Sequence, residues 1–136
     1  MQDHNSFSDE EFLKLFESCS LRPEYFTHEA HLRLAWLCLK RYDLDKAEKF
    51  VVQQLKVYTS HWGASDKYHH TITIAAVKAV HHFYLRSKST NFCDFIVEYP
   101  RLKTHFKALM AQHYRAETLH AEKAKTEFIQ PDRLSF

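Results

Sequence analysis

Apolar residues along the chain recur at three- and four-residue spacing rather than in strict alternation, which predicts helices throughout. Ser8 followed by Glu11 reads as a capping box that opens a first helix to about Cys19, with Phe12, Leu15 and Phe16 as its apolar stripe. Thr27 can cap a second helix running to about Tyr42, and Asp43 a third from Leu44 to about His61, ended by Gly63. Ser65 or Asp66 can start a long fourth helix to about Ser87, where Ser87, Ser89, Thr90 and Asn91 make a polar break. A short helix, Phe92 to Glu98, stops before Pro100; another runs to about Tyr114, and a more polar one follows to about Phe128. Pro131 ends regular structure.

Composition sharpens this pattern. One glycine and three prolines in 136 residues starve the chain of the residues that tight β-turns require, so an all-β fold is excluded. At this length the chain forms one core and not two. The expectation is an all-α, single-domain bundle of about five to seven helices over residues 1–136, with 1–7 and 130–136 as irregular tails. Nineteen basic and 17 acidic residues give a net charge of +2, too balanced for the field that drives binding to nucleic acid or anionic membranes. The longest strongly apolar stretch, Leu34 to Leu39, is too short to span a bilayer, and the first ten residues do not resemble a targeting segment. Cys19, Cys38 and Cys93 form no CxxC pair, so neither a disulfide framework nor a cysteine-rich zinc module is indicated, and a reducing, cytoplasmic setting is expected.

Histidine is the unusual component, at 11 residues. On a 100° helical wheel, His28 and His31 fall in the same arc as Ala35, Leu32 and Leu39, with Arg33 and Lys40 outside it. Their i, i+3 spacing lets two imidazoles approach one ion from a single helix. His69 falls on the inward arc of the fourth helix with Ile72, Ala76 and Val80, while His70 and His81 lie on its flank, roughly 16 Å apart at ~1.5 Å rise per residue. His113 is a fourth inward candidate, and His4, His61, His82, His105 and His120 are expected in solvent. Each unsatisfied nitrogen of a buried imidazole costs about 1–3 kcal/mol, so the inward rings need partners. A divalent ion supplies one: His28, His31 and His69 would form a three-ligand site with an open fourth position, in which His70 or Tyr68 assists proton transfer from bound water. Without an inward Asp or Glu, zinc or nickel fits better than magnesium or calcium. Alternatively, the rings are core residues bonded to hydroxyls or backbone carbonyls, with Thr73, Tyr25, Tyr42, Tyr84 and Tyr114 as available hydroxyls.

Other motifs are absent. HExxH requires histidines four apart, whereas His28 and His31 are three apart with Glu29 turned to solvent. One glycine excludes the P-loop, the dinucleotide fingerprint and the serine-hydrolase elbow. Cys38 reads as inert packing.

The segment from Phe26 to Leu37 resembles an HxxHLxxAWxxL pattern, Tyr68 to Thr73 resembles a YHETIT pattern, and Phe128 to Arg133 resembles a closing F-x-x-PDR. Together they resemble a family of small bacterial all-α proteins to which no activity is attached. Where that pattern carries glutamate, this chain carries His70; if that glutamate is a ligand or base in relatives, a three-histidine, one-carboxylate set becomes four nitrogens here, and otherwise the position is peripheral. The functional expectation is a divalent-metal-dependent enzyme acting on a small molecule; the alternatives are a helical ligand-binding or interaction module with a buried histidine network, and a purely structural or partner-binding protein.

Overall fold

The computed structural model describes residues 3–136. Its regular elements are helical, as the spacing of apolar residues predicts. They are α1 (Asp9–Glu17), α2 (His28–Arg41), α3 (Leu44–His61), α4 (His70–Tyr84), α5 (Phe92–Glu98), α6 (Arg101–Thr104), α7 (Phe106–His113), α8 (Ala116–His120) and α9 (Glu122–Thr126), joined by 3-10 turns at His4–Ser6, Pro23–Tyr25 and Ser65–Lys67. Among the described residues, no helix is long and apolar enough to cross a membrane.

Local capping sets most starts. Ser8 and Glu11 form the reciprocal capping box of α1, Thr27 accepts from the Ala30 amide at α2, and Asp43 accepts from Lys46 at α3. Gly63, at φ +69°, supplies the left-handed residue that ends α3. The start of α4 differs from expectation. Ser65 and Asp66 sit in the 3-10 turn, and the cap is His69, whose ring accepts from the Ile72 amide. The expected helix after Pro100 is broken at His105 into α6 and α7, and the last polar helix is broken at Ala121 into α8 and α9.

The core is built on α2, packed against α3 and α4, which also pack against each other. From Leu32 to Leu39 every residue of α2 is buried. Trp36 stands edge-on to Tyr84 and Phe92 and tilted against Phe95, so α5 closes one side of the helix.

Arg33, expected outside the buried arc, is 5% exposed because the N-terminal segment covers that face. Its guanidinium donates to the carbonyl oxygens of His4 (2.6 Å) and Phe7 (2.8 Å) and to Asp9 (2.9 Å), and lies 4.7 Å from the Phe12 ring centroid. His4, expected in solvent, is 2% exposed. Its Nε2–H donates to Glu29 at 2.8 Å while Nδ1 accepts from Arg33 at 3.3 Å. Glu29, expected to face solvent, is thus half-buried; burial alone would raise its carboxyl, but hydrogen bonds from Lys103 and His4 and the Lys103 charge hold it below the usual range. The irregular tail beyond 130 is also tied down: the Arg133 and Leu134 amides donate to the carbonyls of His113 and Gln112.

The burial pattern makes Arg33 more costly to remove than its partner. Arg33→Met, which strands two carbonyls under the N-terminal segment, is expected to lower stability by about 3 kcal/mol or more in urea unfolding. Asp9→Asn, at a half-exposed carboxylate, is expected to cost under about 1 kcal/mol. Equal losses would contradict the buried-anchor role.

Candidate functional site

Helices α2, α3 and α4 do not close completely on one another. Between them lies a cavity of about 270 Å³ with a partly open mouth. Its walls are Leu32, Leu34 and Ala35 from α2, Val51 and Leu55 from α3, and Ile72 and Val77 from α4, with Phe26 and Phe106 beside them. The polar groups reaching it are His28, His31, Thr59, Lys67, Tyr68, His69 and Thr73. The cavity lies between the two helices named from the sequence, with α3 as a third wall, and all three predicted ligands border it.

They do not border it in the same state. His69 is fully committed: Nδ1 accepts from the Ile72 amide at 3.1 Å, which fixes the proton on Nε2, and Nε2–H donates to the Leu119 carbonyl at 2.8 Å. As folded, it has no ring lone pair left for an ion. His28 donates through Nε2–H to the Leu102 carbonyl at 3.0 Å and tilts against Phe106, 4.8 Å between ring centroids, leaving Nδ1 unengaged. The His31 ring makes no hydrogen bond among the described residues; it stacks on Phe26 with centroids 4.0 Å apart. Among the described residues, no three His, Cys, Asp or Glu side chains stand together as an ion site. His28 and His31, expected to face inward, are exposed at this space, and the partners found for His28 and His69 are mostly backbone carbonyls.

The surroundings of His31 differ from those of a surface imidazole. The ring is exposed through the open mouth of the cavity, while the crowding walls reduce the water that could hydrate a charge on it. That desolvation, followed by the nearby His28, lowers its pKa from 6.5 to about 4. His31 is therefore neutral at physiological pH, with one N–H donor and one acceptor nitrogen.

Tyr68 and His70, predicted to handle protons, do meet: the Tyr68 hydroxyl donates to His70 Nδ1 at 2.7 Å. Burial pushes the phenol up to about 12, so it stays protonated near neutrality. Burial, then the charges of Lys56 and His69, lowers His70. Tyr68 lines the cavity and His70 does not. Cys38 is buried, with its thiol raised to about 12 chiefly by desolvation, in keeping with a packing role. His113 lies away from this space, its Nδ1–H donating to the Leu134 carbonyl at 2.8 Å. Sequence reasoning missed Phe26, which forms the stacking surface for His31, and Lys67, the one charged side chain of the lining. Phe26 carries a detectable signal, because an aromatic residue just before the Thr27 cap is the position of a hydrophobic staple.

Comparison of the chain with family models, with curated proteins and with solved structures finds no match. The chemistry of the cavity rests on its own residues.

The lowered pKa of His31 has a definite sign in stability. Between about pH 6.5 and 4 the unfolded chain holds a proton that the folded chain refuses, so stability falls as pH drops through that window. His31→Gln, which cannot titrate, should have a shallower stability profile across the same range, measured by urea unfolding at several pH values. Parallel profiles for the two proteins would show that His31 is not desolvated by the cavity.

Proposed function

We propose that the protein is a helical binding module for a small, uncharged, largely apolar molecule carrying one hydrogen-bonding group. The observation that carries this reading is the His31 imidazole, neutral and without a hydrogen-bond partner, facing apolar walls from three helices. The imidazole is reached by solvent through the mouth, so a bound hydroxyl or carbonyl would replace water on it inside an apolar site, a net gain of about 0.5–1.5 kcal/mol. The size is suitable: apolar cavities of roughly 150 Å³ already bind benzene, and this one is larger. The low affinity of His31 for protons favours neutral ligands, since a charged one would lose hydration without a full counter-charge inside. Lys67, exposed and at the lining, can remain in water.

The metal-enzyme reading has less support. His28 and His31 retain nitrogens able to bind an ion, but His69 is used as a helix cap and backbone donor. The phenol of Tyr68, donating to His70, is a poor base near neutrality.

The test compares p-cresol with toluene, which has a similar ring and no hydroxyl. The wild-type protein should bind p-cresol several-fold to about tenfold more tightly by calorimetry or NMR titration, the size of one net hydrogen bond. His31→Leu should keep toluene binding and lose the preference for p-cresol. Absence of saturable binding of either compound would overturn the reading, as would an unchanged preference in the variant.

A further inference from the structure

Farther along α4, a second cavity of about 280 Å³ lies between that helix, α7 and the C-terminal segment. It shares no lining residue with the first. Phe83, Leu109 and Phe136 give it apolar surface, and His82, Arg101 and His113 bring basic groups to it. Among the described residues, no acidic side chain lines it.

The basic groups have few partners of their own. Arg101, the first residue of α6, is exposed, and its guanidinium makes no hydrogen bond or ion pair among the described residues. A guanidinium, permanently charged and with five donors, is suited to a planar carboxylate. His113 uses Nδ1–H on the Leu134 carbonyl and is stacked by Phe136, with centroids 4.0 Å apart, so its ring is held in place. His82 has Nδ1 facing a guanidinium nitrogen of Arg86 at 3.4 Å, which leaves Nε2–H as a donor. Its affinity for protons is lowered by burial and then by Arg86, His113 and His81. Glu98, in the adjoining depression with Arg101, is occupied by the hydroxyls of Ser87 and Ser89. The walls are also fixed, because the Arg133 and Leu134 amides pair with carbonyls of α7.

We propose that this cavity binds a small organic carboxylate, its oxygens on Arg101 and His82 Nε2–H and its short apolar body against Phe83, Leu109 and Phe136. One permanent cation beside apolar walls matches a monoanion with a hydrocarbon tail. It matches a phosphate dianion less well, because the second charge would lack a fixed partner. The first cavity, with a neutral imidazole as its recognition group, takes the opposite class of ligand.

Hexanoate is the probe, followed by NMR of the full chain through the side-chain resonances of His82 and His113. Saturable shifts are expected, with hexan-1-ol and inorganic phosphate each binding at least about tenfold more weakly. Arg101→Gln, at an exposed position whose side chain makes no internal bond, should keep the thermal stability of the wild-type protein and lose at least about tenfold in hexanoate affinity. The proposal is overturned if hexanoate gives no saturable shift, or if Arg101→Gln binds it undiminished. Equal binding of hexan-1-ol would remove the role of charge, and equal binding of phosphate the role of the apolar body; either result overturns it.

Discussion

A helix packed into a core must still satisfy the amides of its first turn, and in α4 that task falls to an imidazole. His69 accepts from the Ile72 amide with one nitrogen and donates to the Leu119 carbonyl with the other. The first bond sets where α4 begins and the second ties α8 to it, so a wall of the main cavity and the helix behind it depend on one ring. Once Nδ1 is an acceptor the tautomer is determined, and the ring can serve the backbone in two directions with no net charge.

The same economy explains the histidine content. His28 bonds the Leu102 carbonyl, His113 the Leu134 carbonyl, and His4 joins Glu29 and Arg33 under the N-terminal segment. In each case an imidazole on or beside the helical core fastens a stretch of chain with little regular structure of its own. The part beyond α5 consists of short helices, and such helices gain little from propensity alone. Cross-bonds from histidines, together with the Tyr114 hydroxyl on Ile129 and the Thr71 hydroxyl on Glu127, stabilise that part. His31 stands apart because its nitrogens have no such duty.

Much of this organisation was legible in the sequence. Ser8, Thr27, Asp43 and Gly63 announce helix ends through local chemistry, and the structure places them at those ends. Helical period put His28, His31 and His69 on one side, and all three border the cavity, but His28 and His31 stand exposed there and are not enclosed. What each nitrogen does could not follow, because the partners at Leu102 and Leu119 lie far off in sequence. The cap at His69 was also hidden: histidine is not among the preferred capping residues, while Ser65 and Asp66 nearby are. Arg33 and His4 were misjudged for a related reason. A helical wheel sees one helix, and the segment that buries Arg33 comes from another part of the chain. The breaks at His105 and Ala121 occur without glycine or proline, so no local signal marked them.

The central claim is that His69 works for the backbone and that His31 is the imidazole left available to a ligand. Long-range proton–nitrogen NMR of the histidine side chains tests it directly, because it reads which nitrogen of each ring carries the proton. The account predicts His69 as the Nε2–H form, unchanged when Zn²⁺ is added, since both nitrogens are already bonded. A His69 signal that shifts stoichiometrically with zinc, together with those of His28 and His31, would contradict it.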